Sequence, residues 1–150
     1  MASTHITTRP SLLQYVALAV GAVFLLVGIL GFIPGITSNT EHLGMAGHHS
    51  GSMLLGIFQV SVLHNVVHLL FGVLGLTLWR SAAKAKTFLV VGGIIYLVLG
   101  FYGVFIDQSS AANFVPVNTA DNILHFALGV GMAGLGLALG KNPTPARRTA

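Results

Sequence analysis

The sequence contains no cysteine and very little charge, and both shortages narrow the possible functions. Without cysteine there are no disulfides, no thiolate metal sites and no cysteine nucleophiles. Only 7% of the residues are charged, whereas a soluble globular domain carries about 25%. A chain with so little charge and 54% hydrophobic residues cannot cover a water-facing surface, so we expect a membrane protein.

The apolar residues gather in four runs, each close to the ~20 residues that a transmembrane helix needs. The first run is longer than the about 7–15 apolar residues of a signal peptide, and no A-x-A-like cleavage site follows it. We therefore expect the first run to be retained as a span. The runs predict membrane-spanning helices over Leu12–Pro34, Val62–Trp79, Thr87–Ile106 and Thr119–Gly140.

The charged residues divide between the two ends of these runs. The seven basic residues lie on one side of a four-span arrangement: Arg9, Arg80, Lys84, Lys86, Lys141, Arg147 and Arg148. The three acids lie on the other: Glu41, Asp107 and Asp121. The positive-inside rule then predicts that both termini and the 80–86 loop are cytoplasmic and that the loops at about 35–60 and 107–118 face outward. No basic stretch has interleaved aromatics, so the net charge of +4 does not indicate a nucleic-acid partner.

An internal repeat links the second and fourth runs. Residues 65–73 and 122–130 share the pattern N-x-x-H-x-x-x-G-V. A weaker match pairs residues 30–32 with 99–101, and its larger separation makes the first outer loop the longer one, by about the length of Glu41–Ser52. We therefore predict an all-α membrane fold, a four-helix transmembrane bundle built from two parallel helix-hairpin repeats. It is expected to form a single domain over 1–150, with repeats at about 11–79 and 87–140 and a flexible tail at 141–150.

Polar side chains recur at matching depth in the two repeats. Ser61 and Asn118 are suitable helix N-caps, which places the Asn and His of each repeat in the first two helical turns. Residues three and seven apart share a helix face, so each Asn, His and following Gly lie together. The pattern predicts a polar cluster at the outer helix ends, formed by His64, Asn65, His68, Asp121, Asn122 and His125. It also predicts that the two outer loops form an ordered outer cap.

Small residues follow one face of the first, third and fourth runs. Such ridges let helices approach closely in lipid, so they predict packing rather than chemistry. The ridges consist of Ala17, Gly21, Gly28, Gly93, Gly100, Gly129, Ala133, Gly136 and Gly140.

Four segments make the chain resemble a family of small bacterial, mainly actinobacterial, membrane proteins known as domain of unknown function 4383. The segments are "GFIPGITSN", "AGHHS", "LLGIFQVSVLHNVVHLLFGVLGL" and "NFVPVNTADNILHFALGVGM", which together span most of residues 28–139. The resemblance implies a four-span inner-membrane protein. It implies no activity, substrate or cofactor, so function has to be argued from the residues.

The histidines of the apolar runs allow two interpretations. In the first, the Asn and His side chains hydrogen-bond one another, free backbone groups and water, and fix the register of the two halves. In the second, His68 and His125 ligate one metal ion or a haem b between the helices. Covalent haem is excluded because no CxxCH is present, and HNVVH lacks the Glu of a zinc-protease H-E-x-x-H motif.

The first outer loop holds further potential ligands. Carboxylate and imidazole suit zinc, copper or nickel, and thioethers add a preference for Cu(I). The loop carries Glu41, His42, Met45, His48, His49 and Met53. His48 could fold back onto His64 and join His68 and His125, whereas the simpler interpretation is a polar loop with incidental histidines.

The residues favour a non-enzymatic accessory or scaffold protein in which the Asn and His pairs hold the outer helix ends together. The alternative is a metal- or haem-binding membrane protein that uses His68 and His125. A transporter would need a charged site at mid-bilayer, and none of the acids lies there. The expected partners are the lipid bilayer and a larger membrane complex or a second copy of the chain.

Overall fold

A computed structural model of the protein describes residues 9–141, and within them the chain forms four α-helices. They are α1 (Leu12–Leu30), α2 (Val62–Leu78), α3 (Ala82–Phe105) and α4 (Thr119–Leu139). The first helix ends four residues earlier than predicted, and the third begins five residues earlier. Of the predicted tail, only Lys141 lies among the described residues.

The predicted N-caps are confirmed. The Ser61 side chain accepts a hydrogen bond from the backbone N–H of His64, at 3.1 Å. Asn118 and Asp121 form a reciprocal capping box at the start of α4. Because such caps satisfy backbone N–H groups that have no partner within the helix, they fix where α2 and α4 begin. The segment "LLGIFQV" therefore lies outside α2.

Three of the helices, α1, α3 and α4, are long and apolar enough to cross a membrane. The fourth, α2, is also apolar but has only 17 residues. Large hydrophobic side chains are exposed along all four helices, among them Leu26, Leu70, Val98 and Val130. An apolar exterior of this kind suits lipid and not water.

Glycines bring the helices together in pairs. Hairpin 1 consists of α1 and α2, and hairpin 2 consists of α3 and α4. A Cβ placed on Gly21 would lie 2.8 Å from the backbone of Gly75, and one on Gly93 would lie 2.5 Å from the nitrogen of Ala133. The predicted packing role of these small residues is therefore confirmed, since any side chain there would push the helices apart.

The helix contacts align the residues of α1 with those of α3 differently from the sequence match. Gly28 packs against Leu69 in hairpin 1, and Gly100 packs against Phe126 in hairpin 2. Gly28 therefore occupies the place of Gly100 in the repeat. The predicted pairing of Gly31 with Gly100 is wrong by almost one helical turn, because the "LGF" match does not follow the contacts.

Aromatic rings join the two hairpins. Phe24 of α1 and Tyr96 of α3 stack with their ring centroids 5.2 Å apart. The same core cluster contains the other buried hydrophobic side chains of the helices: Leu13, Ala17, Ala85, Phe88, Leu89 and Met132. Contacts between the hairpins are sparser than those within each hairpin, so this aromatic centre is a main connection between them.

The first outer loop contains a small antiparallel sheet that the all-α prediction missed. Its strands, in the order β1 (Thr37–Ser38), β2 (Ser52–Leu54) and β3 (Phe58–Val60), follow one another in space. Leu55 and Gly56 have positive φ angles of 55° and 70° in the tight turn between β2 and β3. A short 3₁₀ turn at Thr40–His42 lies between β1 and β2.

Hydrogen bonds fasten this sheet to the second outer loop and to the helix starts. The Gly47 N–H donates to Phe114 O at 2.7 Å. The N–H groups of Val62 and Leu63 donate to carbonyls of the first loop, at 3.0 and 2.9 Å. The Asn118 side chain donates to Ile57 O at 2.8 Å. The two loops thus form one ordered cap, as predicted.

Candidate functional site

The six residues of the predicted polar cluster all lie in the first two turns of α2 and α4, directly beneath the cap. Each one is buried: His64, Asn65, His68, Asp121, Asn122 and His125. Buried polar groups are costly unless they find hydrogen-bond partners. The partners of each side chain therefore indicate what the cluster can do.

His64 and His68 form a stacked pair with fixed tautomers. Their ring centroids lie 4.6 Å apart, with an angle of 15° between the planes. His64 Nδ1 donates to Pro116 O at 3.1 Å, and His68 Nδ1 donates to His64 O at 3.0 Å. Because a carbonyl oxygen can only accept, both protons sit on Nδ1, and in the neutral ring each Nε2 is an acceptor.

Asp121 connects hairpin 2 to the first outer loop. One oxygen, Oδ2, accepts from the N–H of Gln59 at 3.0 Å and from the N–H of Asn118 at 2.9 Å. His64 makes the reverse connection, from hairpin 1 to Pro116 in the second outer loop. In the alignment of α2 with α4, His64 corresponds to Asp121 and Gln59 corresponds to Pro116, so each hairpin is joined to the loop of the other.

The two asparagines pack against glycines at the outer ends of α1 and α3. A Cβ on Gly31 would overlap the side chain of Asn65, and one on Gly103 would overlap that of Asn122. Asn65 Nδ2 and Asn122 Oδ1 are buried without a hydrogen-bond partner among residues 9–141. Each asparagine therefore packs between the two helices of its hairpin.

His125 contacts the aromatic centre through Tyr96. Its ring centroid is 5.2 Å from that of Tyr96 and 6.5 Å from that of His64. In hairpin 1, the ring of His68 contacts that of Phe24, with the centroids 5.6 Å apart. His125 Nδ1 is buried and has no partner in the described part of the chain.

A cavity of about 230 Å³ opens beside the three histidines. Apart from the histidines, the walls are apolar or aromatic. They come from α2, α3 and the second outer loop, and they include Val67, Tyr96, Val98, Leu99, Tyr102, Phe114, Val115 and Val117. No Asp, Glu, Lys or Arg side chain of the described residues lines this cavity, so it suits an uncharged occupant.

The predicted ligands of the outer loop do not join the buried cluster. The ring centroids of His48 and His49 lie 3.9 Å apart, and His48 makes no aromatic contact with His64 among the described residues. The hydrogen bond from the Gly47 N–H to Phe114 O holds this stretch in the cap. His42 lies beside Glu41 at 3.9 Å, with both side chains exposed. Over residues 9–141, no group of three or more His, Asp or Glu is arranged to hold a metal ion.

Sequence reasoning missed four residues of the site: Phe24, Gln59, Tyr96 and Pro116. Phe24 and Tyr96 correspond to each other in the register that pairs Gly28 with Gly100, and that register could have revealed them. Gln59 and Pro116 contribute only backbone groups to Asp121 and His64. Their side chains give no signal for such a role.

The fold defines a class, namely a helical membrane protein with an ordered cap at one end of its helices. A family model described as Domain of unknown function (DUF4383) matches residues 14–138. The chain therefore belongs to this family, which confirms the resemblance found in the sequence. No curated protein and no solved structure matches the chain.

Proposed function

We propose that the protein is a non-enzymatic scaffold of the inner (plasma) membrane, in which the outer cap clamps two helix hairpins together. The observation that carries this proposal is the reciprocal pair of hydrogen bonds from His64 to Pro116 and from Gln59 to Asp121. Each bond links the helix start of one hairpin to the loop of the other. A rigid outer surface follows, which suits a protein that presents a fixed shape to a partner.

All four helices cross the membrane in this proposal, and both termini are cytoplasmic. Arg80 lies between α2 and α3, and Lys84 and Lys86 lie near the start of α3, whereas the three acids lie at the opposite helix ends or in the outer loops. The positive-inside rule supports this orientation. The equivalent glycine contacts of the two hairpins support their description as parallel repeats.

The cap offers a surface for another protein or for a second copy of the chain. Met45 is 75% exposed, and Leu55, Ile57 and Phe114 are also largely exposed. Apolar side chains on the part of the protein nearest to water are typical of interaction surfaces. Their presence supports a role in a larger membrane complex or a homo-oligomer.

The cysteine-free sequence allows a direct test of the orientation. Single cysteines introduced by Ser109→Cys and Lys84→Cys report the outer and inner sides. We expect a membrane-impermeant maleimide to label Ser109→Cys in intact cells and Lys84→Cys only after permeabilisation. The reverse pattern would contradict the proposed topology.

The clamp is tested by Asp121→Ala, with Asp107→Ala as the matched control. Asp121 accepts two backbone N–H groups beneath the cap, whereas Asp107 is an exposed loop residue. Leaving buried donors unsatisfied costs about 1–3 kcal/mol, so Asp121→Ala should melt at a lower temperature in detergent. If both variants melt like the unmodified protein, Asp121 does not clamp the cap.

Absorbance spectra and metal analysis distinguish this scaffold from the metal- or haem-binding alternative. The purified protein would be compared with the double variant His68→Ala/His125→Ala. A Soret band or stoichiometric metal that disappears in the double variant would replace the scaffold with a cofactor protein. A colourless, metal-free protein whose double variant only melts earlier would support the scaffold.

A further inference from the structure

Two of the histidines that line the cavity offer hydrogen-bond acceptors. His64 and His68 use their Nδ1 protons on backbone carbonyls. Their Nε2 atoms find no hydrogen-bond partner among residues 9–141, although both rings line the cavity. An occupant that donates a hydrogen bond can therefore satisfy an acceptor that the protein leaves open.

The exposed part of the cavity lining belongs to α3 and to the second outer loop. Val98 and Tyr102 of α3 are 60% and 40% exposed, and Phe114 of the loop is 55% exposed. Val91, Ile94 and Val98 follow one another at helical spacing and form an exposed apolar stripe. An occupant would therefore enter from the bilayer and would keep its apolar part in contact with lipid.

The size of the cavity limits the part of a ligand that it can enclose. An engineered cavity of about 150 Å³ binds benzene, and pockets for drug-sized ligands measure about 300–1,000 Å³. At about 230 Å³, this cavity has room for one substituted aromatic ring. It is too small to enclose a haem, which is itself larger than most drug-sized ligands.

We propose that this cavity binds the hydroxyl-bearing ring of a lipid-soluble phenol or hydroquinone. The hydroxyl donates a hydrogen bond to Nε2 of His64 or His68, and the tail of the molecule lies in the bilayer. The neutral acceptors select a donor over a charged group. The aromatic walls from Tyr96, Tyr102 and Phe114 suit the edge and face contacts of a ring. This binding site goes beyond the scaffold role and does not depend on it.

The experiment uses two probes of similar shape, of which only one has a hydrogen-bond donor. They are 2-fluoro-4-hexylphenol and its methyl ether, titrated into the full chain in lipid nanodiscs and followed by ¹⁹F NMR, with empty nanodiscs as the blank. We expect saturable binding of the phenol, about tenfold tighter than that of the ether, because the ether leaves the acceptor without a donor and tenfold corresponds to about 1.4 kcal/mol. Equal affinity for both probes, or no saturable binding of the phenol, would overturn the proposal.

A matched pair of variants locates the binding site. Val98→Trp fills the mouth, whereas Val91→Trp makes the same change two helical turns away on the same exposed stripe, outside the cavity. We expect Val98→Trp to lose phenol binding and Val91→Trp to retain it. Phenol binding that survives Val98→Trp would place the site elsewhere. The comparison of the two probes on the unmodified protein decides the proposal if the variant does not fold.

Discussion

Hairpin 1 carries an imidazole and hairpin 2 a carboxylate at the same position beneath the cap, His64 and Asp121. Both side chains reach the backbone of the opposite outer loop, at Pro116 and at Gln59. Pro116 has no N–H and offers only a carbonyl, so its partner must donate. Gln59 presents its N–H, so its partner must accept. The side chains differ because the backbone groups that they meet differ.

The aromatic centre shows a second difference between the hairpins. Tyr96 lines the cavity, and Phe24, its counterpart in hairpin 1, does not. His64 likewise lines the cavity, whereas Asp121 bonds the first outer loop. The two hairpins therefore share a packing scheme, but equivalent residues differ in whether they line this cavity.

The largest effect should come from the close helix contacts that both hairpins share. A Cβ on Gly72 would lie 2.5 Å from Leu25 N, and one on Gly93 would lie 2.5 Å from Ala133 N. Neither backbone atom can move aside cheaply, so Gly72→Ala and Gly93→Ala should each cost about 1–3 kcal/mol or more of unfolding free energy. Denaturation in mixed micelles measures both.

Gly131→Ala is the control for these two variants. A Cβ there meets no atom within 4 Å, and alanine favours a helix by about 0.5–1 kcal/mol over glycine. The control should therefore be neutral or stabilising. If Gly72→Ala and Gly93→Ala behave like Gly131→Ala, the helix contacts are looser than described.

Reversing the polarity at the reciprocal clamp should have the next largest effect. His64→Asp places an acceptor against the carbonyl of Pro116, which we expect to lower the free energy of unfolding by about 1–3 kcal/mol. His64→Gln keeps an N–H donor and should lose less. Thermal melts in detergent compare them. Combining His64→Asp with Asp121→His should not restore stability, because the backbone partners are unchanged.

Exchanging Phe24 and Tyr96 for each other's residue type tests whether the cavity distinguishes the two positions. Phe24→Tyr introduces a hydroxyl into a buried position that does not line the cavity, which should cost about 1–3 kcal/mol. Tyr96→Phe should change stability by less, because Tyr96 lines the cavity. Equal losses in thermal melts of the two variants would show that the cavity does not distinguish these positions.

The smallest effect concerns Asp107, an exposed acid of the second outer loop. The Ser109 hydroxyl and N–H donate to Asp107 Oδ1 at 2.6 and 2.9 Å, and these bonds hold the pKa of Asp107 below its usual value. A lowered pKa in the folded state stabilises the fold above the unfolded pKa, and the effect is lost as pH falls through the lowered value. Asp107 is exposed, so the change in stability should be small.

Ser109→Ala should raise the pKa of Asp107, and an NMR titration of the Asp107 side chain measures the change. Ser110→Ala is the matched control, because the Ser110 hydroxyl donates to the Asp107 backbone carbonyl and not to its carboxylate. A pKa of Asp107 that stays unchanged in Ser109→Ala would show that the turn does not set it.

The sequence predicted those parts of the fold that depend on local chemistry. Ser61 and Asn118 were predictable as caps because each is a polar residue directly before an apolar run, and its side-chain oxygen can accept a backbone N–H of the first turn. The glycine faces were also predictable from their spacing. The sheet was not, because strands of two or three residues are too short for an alternating pattern.

The missed parts of the candidate site depend on contacts between distant residues. Gly31 and Gly103 correspond to each other because they meet Asn65 and Asn122, whereas the "LGF" match aligned a different pair of glycines. The pairing of His64 with Pro116 joins residues that are far apart in the chain through a backbone carbonyl. No pattern of side chains marks such a bond in advance.

In the proposed four-span arrangement, the short second helix has a consequence for the surrounding lipid. Its 17 residues rise about 25 Å, whereas a typical hydrocarbon core is about 30 Å thick. The cap hydrogen-bonds directly to its first turn, through Val62 and Leu63, and so fixes the cap at that depth. Lipids beside α2 would have to thin to match it, and such hydrophobic mismatch favours residence in thinner regions of a membrane or beside partners of similar span.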